Sequence, residues 1–256
     1  MKPAGNLTAT SPWIRRYHPA PDARVRLLCL PHAGGSAPFY LPFSRALSPA
    51  VDVLAVQYPG RHDRHHEPCV DSIPELADAL VAEVLPFADR PLALFGHSMG
   101  ATVAFELALR LEQSGTRPLV LFASGRRAPS RLRAESDPVH LRDEAGILAE
   151  LRALSGTDAR VFENEELLRM VLRAVRNDYK AVETYRFVSG QRLAAPVHAH
   201  VGTDDFRASL DEVRSWGEHT DGGFEMYTYP GGHFYLTGQL PRVVAAVSQQ
   251  ISALLS

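Results

Sequence analysis

The sequence predicts an α/β fold in which helices flank a mostly parallel central sheet. Short apolar runs that end at turn residues alternate with longer stretches in which apolar residues recur every three or four positions. This alternation is typical of βα units around a parallel sheet. The predicted strands span residues 25–30, 51–56, 92–95, 119–123, 197–201 and 224–229. The predicted helices span residues 73–87, 101–112 and 236–255.

The composition is that of a soluble globular protein with one sizeable core. The chain has 256 residues, of which 45% are hydrophobic and 22% are charged, and its formal net charge is -2. Because this charge provides no basic field, we expect neither nucleic acid nor an anionic membrane as a partner. Residues 1–13 lack the apolar region of a signal peptide, and we expect Cys29 and Cys69 to be free thiols. A cytoplasmic location follows as an expectation.

A G-x-S-x-G pattern lies between a predicted strand and a predicted helix, at residues 96–100 (GHSMG). In this context the pattern indicates a nucleophile elbow, a strained turn that exposes the serine at the end of the sheet. Gly96 and Gly100 fit this interpretation, because the residues two before and two after the serine must avoid neighbouring backbone. We therefore predict an α/β-hydrolase fold with Ser98 as its nucleophile.

The serine needs a base and an acid to activate it. In this fold the acid and then the histidine follow the serine along the chain. Residues 230–234 (PGGHF) follow the last predicted strand, which makes His233 the predicted base. We favour Asp205 as the acid, because the fold usually places it three residues after the glycine that ends the preceding strand. The adjacent Asp204 stays open as the alternative.

Acyl transfer also needs two backbone N–H groups for the oxyanion, and one of them comes from the residue after the serine. We predict the Met99 amide for that role and the Ala33 amide for the second, in the loop 31–36 (PHAGGS). The alternative for this loop is an ordinary glycine-rich turn. Triad chemistry needs no metal or other cofactor, and no regular spacing makes the histidine-rich stretch 62–66 a metal site. We expect none.

One long segment between two predicted strands contains helical patterns and no convincing strand. In this fold such an insertion is a lid. We predict a hydrolase core formed by residues 1–125 and 192–256 and a helical lid insertion formed by residues 126–191. The helix candidate 163–185 carries more apolar residues than one packed face needs. Either it is buried on two sides, or it faces substrate through residues such as Leu168 and Met170.

Five motifs of this chain occur together at characteristic spacing. They are residues 31–37 (PHAGGSA), 57–61 (QYPGR), 96–101 (GHSMGA), 177–185 (NDYKAVETY) and 231–234 (GGHF). The combination resembles the type II thioesterases of polyketide and nonribosomal peptide synthesis over nearly the whole chain. Trp216 also follows the predicted acid as in that family. Phe206 departs from it, since relatives often have proline after the acid.

The resemblance implies hydrolysis of acyl groups from the phosphopantetheine arm of an acyl or peptidyl carrier protein, chiefly to clear aberrant chains from a stalled synthase. Medium-chain thioesterases of fatty acid synthesis are relatives and stay open as an alternative. The triad is equally compatible with a small-molecule carboxylesterase. An alternative of a different class is a non-catalytic binding module that keeps the fold. Labelling of Ser98 by a fluorophosphonate distinguishes this module from an enzyme.

A local cluster of arginines lies where the predicted lid leaves the sheet. Its members are Arg126, Arg127, Arg131 and Arg133. Carrier proteins are usually acidic, so we expect this cluster to attract one despite the negative net charge. The alternative is an ordinary solvated loop.

Overall fold

A computed structural model describes residues 11–131, 133, 137–154 and 163–256 of the chain. The strands in this part, in chain order, are β1 (Ile14–Arg15), β2 (Arg26–Leu30), β3 (Asp52–Val56), β4 (Leu92–His97), β5 (Leu121–Ser124), β6 (Val197–Gly202) and β7 (Phe224–Tyr229). They form one sheet in the order β1-β3-β2-β4-β5-β6-β7. The pair β1 and β3 is antiparallel, and every other neighbouring pair is parallel, as the alternating pattern predicts.

The predicted strands all form, with ends shifted by no more than two residues. Every residue of β2 to β6 is buried, which explains why β2 to β5 appear in the sequence as mostly apolar runs. The edge strand β1 has no counterpart among the predicted strands. It is only two residues long, so it carries too little pattern to detect, and Ile14 pairs with Val56.

The helices in the described residues are α1 (Leu41–Leu47), α2 (Ile73–Val84), α3 (Met99–Gln113), α4 (Glu144–Leu154), α5 (Glu165–Thr184), α6 (Leu210–Arg214), α7 (Tyr235–Gly238) and α8 (Leu240–Leu254). The predictions missed α1 and α6, which are short. The predicted helix 236–255 is two helices, divided at Gln239, because Pro241 favours the first turn of a new helix. The predicted helix 73–87 ends at Val84, and Pro86 lies in the 3-10 turn that follows.

The sheet has a helical layer on each face. Because successive side chains of a strand point to opposite faces, Leu28 packs in the cluster that contains α2 and α3. Its neighbour Leu27 packs in the cluster that contains α1 and α8. The carboxyl ends of the parallel strands therefore share one open edge, where α/β proteins place their ligands.

The segment between β5 and β6 contributes α4 and α5, and α5 agrees closely with the predicted helix 163–185. The Asn164 side chain caps α5 by accepting the backbone N–H groups of Glu166 and Leu167. A separate small cluster joins α4 to α5. It consists of Val139, Ile147, Leu151, Leu172 and Val175.

Parts of two predicted segments lie outside the described residues: 1–10 of the N-terminal segment, and 132, 134–136 and 155–162 of the lid. Within the described ranges, no helix combines the length and the apolar character that crossing a bilayer requires. Cys29 and Cys69 are both free thiols, as predicted.

Candidate active site

The predicted elbow forms where β4 passes into α3. Ser98 has φ 55° and ψ −118°, and a positive φ is uncommon outside glycine. A Cβ atom at Gly96 would collide with the Gly100 carbonyl oxygen, and one at Gly100 would collide with the Leu30 carbonyl oxygen. Both positions therefore require glycine, for the steric reason on which the elbow prediction depends.

Ser98, His233 and Asp205 form a hydrogen-bonded chain at the open edge of the sheet. His233 Nε2 lies 2.9 Å from Ser98 Oγ, and His233 Nδ1 lies 2.9 Å from Asp205 Oδ2. The side chain of Asp205 is 0% exposed and that of His233 is 5% exposed, so water screens their interaction little. The other carboxylate oxygen, Asp205 Oδ1, accepts the backbone N–H of Arg207 at 2.9 Å. The adjacent Asp204 is exposed.

The loops after β6 and β7 hold the acid and the histidine together. The Thr203 N–H donates to the Tyr229 carbonyl at 2.8 Å, and the Asp204 N–H donates to the Gly231 carbonyl at 2.9 Å. A Cβ atom at Gly202 would collide with that same Gly231 carbonyl. Close backbone contact between the two loops therefore fixes the distance between the two side chains.

The two predicted oxyanion donors lie beside the serine. Met99 is the first residue of α3, where the backbone N–H has no partner inside the helix. Neither its amide nor that of Ala33 donates a hydrogen bond to another described residue. Ala33, Met99, Ser98 and His233 line one small cavity of about 40 Å³. This arrangement leaves two N–H donors for an oxygen atom at the serine.

Two neutral histidines lie behind His233. The ring centroid of His97 is 5.2 Å from that of His233, and its Nδ1 lies 2.9 Å from Ser124 Oγ. Burial, and then the nearby imidazole of His233, lowers the pKa of His97 well below its usual range. The same two causes lower the pKa of His32 to about 3. Near neutral pH, neither ring adds a positive charge beside His233.

An apolar cavity of about 580 Å³ opens beside Ser98. Among its described walls are apolar side chains from α4, α5 and the loops of the core. These include Phe39, Leu151, Leu154, Leu167, Met170, Val171, Val175 and Phe234. Met170 thus lines the cavity, which is one of the two arrangements that the sequence leaves open. Phe39 and Phe234 have no role in that analysis, since phenylalanine beside a glycine-rich motif is an unspecific signal.

Leu168 is not among the described residues that line this cavity. It packs instead against the small cluster that joins α4 to α5. The period of the helix explains the difference, because Leu167, Met170 and Val171 lie three or four residues apart on one face of α5. Leu168 follows a neighbouring stripe with Leu172. The helix is therefore apolar on two faces, one toward α4 and one toward the cavity.

The four arginines of the predicted docking cluster line a second cavity, of about 420 Å³. Arg131 and Arg133 each pair with an acidic side chain on the surface. Arg131 pairs with Glu218 at 2.5 Å, and Arg133 makes a two-pronged contact with Glu212 at 2.5 and 2.7 Å. These pairs reduce the positive charge of the cluster. Arg126 and Arg127 line both this second cavity and the small cavity at Ser98, so the two cavities share part of their walls.

Two charged residues that the sequence analysis does not assign to the site are buried beside it. Arg61 lines the apolar cavity, and Asp178 on α5 contacts it through both carboxylate oxygens. Both belong to motifs that carry the resemblance, which was the available signal. Within the described ranges, no group of three or more histidine, cysteine or acidic residues is arranged to hold a metal ion.

The fold and the site together define a serine hydrolase of the α/β-hydrolase class. The family profile described as "Thioesterase domain" matches residues 25–251. The chain is 52% identical over 241 residues to "Thioesterase PikA5" of Streptomyces venezuelae, covering 93% of this chain and 85% of that protein. It is 49% identical to "Probable cadicidin biosynthesis thioesterase" of Streptomyces griseus, covering 93% of this chain and 66% of that protein.

A solved structure is also similar, the type II thioesterase BorB from the borrelidin biosynthetic cluster. The TM-score is 0.89 at 49% identity, and the match covers 95% of this chain and 99% of that chain. The chain therefore belongs to the thioesterase family and is a type II thioesterase of the polyketide and nonribosomal peptide kind. This confirms the resemblance on which the sequence analysis relies.

Proposed function

We propose that this enzyme hydrolyses acyl thioesters held on the phosphopantetheine arm of an acyl or peptidyl carrier protein. One observation carries the proposal: Ser98 lines an apolar cavity and also a small cavity whose wall includes Arg126 and Arg127 of the arginine cluster. The apolar cavity suits an acyl chain. The arginines suit the phosphate of the arm and the acidic surface of a carrier protein.

In the first half of the reaction, Ser98 Oγ attacks the thioester carbonyl while His233 Nε2 accepts the hydroxyl proton. Asp205 orients the ring through Nδ1 and stabilises the imidazolium that forms. The Met99 and Ala33 amides bind the oxyanion of the tetrahedral intermediate. When the intermediate collapses, the carbon–sulfur bond breaks and His233 returns the proton to the departing thiol. The acyl group is then an ester of Ser98.

In the second half, water attacks this ester and His233 accepts one of its protons. The new tetrahedral intermediate uses the same two amides. Its collapse breaks the bond between the acyl carbon and Ser98 Oγ, and the proton on His233 returns to the serine. The products are a carboxylic acid and a carrier protein with a free pantetheine thiol.

We also propose that α4 and α5 act as a lid over this site. Met170 and Val175 of α5 line the apolar cavity, and Tyr179 and Val182 of the same helix line the small cavity beside Ser98. Movement of α5 therefore changes the space that an acyl chain and a pantetheine arm can enter, and lids of this kind commonly move in microseconds to milliseconds.

The type II relatives support a role in editing, in which aberrant chains are removed from a synthase. PikA5 is a thioesterase, and BorB is a type II thioesterase from a biosynthetic cluster. We extend to this chain the role of acting on synthase-bound substrates. Such carrier proteins occur in the cytoplasm, and the free thiols of Cys29 and Cys69 agree with that location.

A three-substrate comparison tests the proposal. One acyl group is presented as a thioester of a phosphopantetheinylated carrier protein, as a pantetheine thioester and as an oxygen ester. We expect the highest kcat/KM on the carrier protein and no turnover by Ser98→Ala on any substrate. A preference for the oxygen ester would contradict the proposal in favour of a carboxylesterase. A strict preference for medium-length acyl groups on a fatty acid carrier protein would favour the alternative of fatty acid synthesis.

A further inference from the structure

The loop that holds the Ala33 amide is tied to the lid helix by a buried charged residue. The backbone N–H of Gly34 donates to Asp178 Oδ2 at 2.7 Å, and Asp178 lies near the middle of α5. Arg61 Nη2 contacts the other oxygen, Asp178 Oδ1, at 2.8 Å, and Arg61 Nη1 also contacts Oδ2. The side chain of Asp178 is 0% exposed and that of Arg61 is 5% exposed.

The same loop also packs directly against α5. Gly34 has φ 75°, and a Cβ atom there would press against a methyl group of Val175. A hydrogen bond and a close packing contact therefore join the loop to two positions on one face of the helix. The Gly34 N–H belongs to the peptide unit that follows Ala33. Fixing that unit restrains the backbone on which the Ala33 amide depends.

Other contacts hold α5 to the core without touching this loop. Asn177 Nδ2 donates to the Val70 carbonyl at 2.8 Å. Lys180 pairs with Asp71 on the surface, where both side chains are about half exposed. An exposed pair of this kind contributes little to stability. Lys180 thus provides a matched control, an anchor of the same helix that lies away from the oxyanion loop.

Arg61 offsets the negative charge that Asp178 places near the proposed oxyanion site. A lone negative charge near a developing oxyanion would oppose its formation, most strongly where water is excluded. The guanidinium of Arg61 binds both oxygens and balances that charge. Burial alone lowers the pKa of Arg61, but the charge of Asp178 and their hydrogen bond outweigh it and raise the pKa. The guanidinium of Arg61 therefore keeps its positive charge beside Asp178.

We propose that Asp178 and Arg61 are positioning residues that align the oxyanion-hole loop only when α5 is seated on the core. The inference rests on the proposed function, because it takes Ala33 as an oxyanion donor and α5 as part of a lid. A lid that opens for substrate withdraws the acceptor of Gly34 and loosens the loop. A lid that closes restores it. Catalysis is thereby confined to the closed enzyme, where the acyl chain is enclosed.

The test compares Asp178→Asn with Lys180→Met on the full chain, using a thioester that the wild-type enzyme is first shown to hydrolyse. The asparagine keeps the shape and an oxygen for the Gly34 N–H, but it loses the charge that holds Arg61. We expect kcat to fall at least about tenfold with KM nearly unchanged, since loss of one oxyanion donor costs about 10²–10³ in kcat. Lys180→Met should stay within about twofold of the wild type.

A second readout separates positioning from folding. A trifluoromethyl ketone analogue of the substrate forms an oxyanion at the serine, whereas a matched amide analogue does not. For Asp178→Asn we expect affinity for the ketone to fall by the same factor as kcat/KM, while affinity for the amide stays constant. Asp178→Glu, which keeps the charge, should recover part of the loss.

Three results would overturn the inference: equal losses of activity in both variants, unchanged affinity for the ketone in Asp178→Asn, or a lower melting temperature in that variant with kcat intact. The proposed function fails separately, if the wild-type enzyme leaves carrier-bound thioesters intact. In that case the positioning test still runs on any ester that the wild-type enzyme hydrolyses.

Discussion

The active site combines a rigid half built on the sheet with a half built on α5, and the two differ in what holds them. Ser98, Asp205 and His233 follow the carboxyl ends of β4, β6 and β7, where glycines allow backbone to touch backbone. Much of the wall of the apolar cavity comes instead from α4 and α5, which a small separate cluster of buried residues joins to each other. In the proposed function, the chemistry therefore belongs to residues that follow the strands. The selection of the acyl chain belongs to residues of α4 and α5.

The largest expected effect is the loss of turnover when the residues that follow the strands are changed. Ser98→Ala and His233→Ala should each lower kcat by at least about 10³-fold, because nucleophile and base act as a unit. Asp205→Asn should be similarly severe, since an asparagine favours the wrong tautomer of the histidine. Steady-state kinetics check this with Asp204→Asn as the matched control, which we expect to be within about twofold of the wild type. A damaging Asp204→Asn with a silent Asp205→Asn would show that the acid is misassigned.

Two residues of α5 that lie on different faces, Leu168 and Met170, test which face of this helix lines the cavity. Met170→Phe should shorten the preferred acyl chain with little change in stability, because Met170 lines the cavity. Leu168→Phe should lower the free energy of unfolding by about 1–3 kcal/mol with the chain preference unchanged, because it overpacks the cluster beside α4. Thermal melts and a chain-length series on both variants measure this. If the two effects were exchanged, the assigned faces of α5 would be wrong.

Lowering the pH should destabilise the folded protein through His32, which lies in the loop after β2 and lines the apolar cavity. Its pKa is about 3 in the folded state, against about 6.5 in an unfolded chain. The stability from keeping His32 neutral is therefore complete above pH about 6.5 and is lost as the pH falls toward 3. Each such group contributes a slope of about 1.4 kcal/mol per pH unit. Denaturant unfolding at several pH values measures this. The free energy of unfolding of His32→Phe should fall less steeply with decreasing pH than that of the wild type. The exposed His65→Gln should behave like the wild type.

The smallest expected effect concerns the arginine cluster. Arg127→Glu should raise KM for a carrier-bound substrate several-fold and leave KM for a pantetheine thioester unchanged, and added salt should reduce the difference. We expect a modest effect because Arg131 and Arg133 already pair with acidic residues. Arg45→Glu on α1 makes the same change in net charge and serves as the control. Equal increases in KM for both substrates would contradict the prediction that the arginine cluster binds the carrier protein.

The sequence predicts the sheet half of the molecule well, because its rules are local. Apolar runs mark most of the buried strands, and the glycines around Ser98 mark a turn that tolerates no side chain at those two positions. The α5 half is harder to predict. Neither the rotation of α5, which separates Leu168 from Met170, nor the pairing of Arg61 with Asp178 follows from nearby residues. Both depend on how a helix from one part of the chain docks on a loop from another.

The acyl-enzyme is the most direct test of the central claim, that Ser98 receives an acyl group from a carrier-bound thioester and passes it to water. The enzyme is mixed with an acylated carrier protein, quenched within one turnover and analysed by intact-protein mass spectrometry. We predict that the enzyme gains the mass of the acyl group on the peptide containing Ser98, while the carrier protein loses the same mass. Ser98→Ala should show neither change. Loss of the acyl group from the carrier protein in the presence of Ser98→Ala would contradict the account.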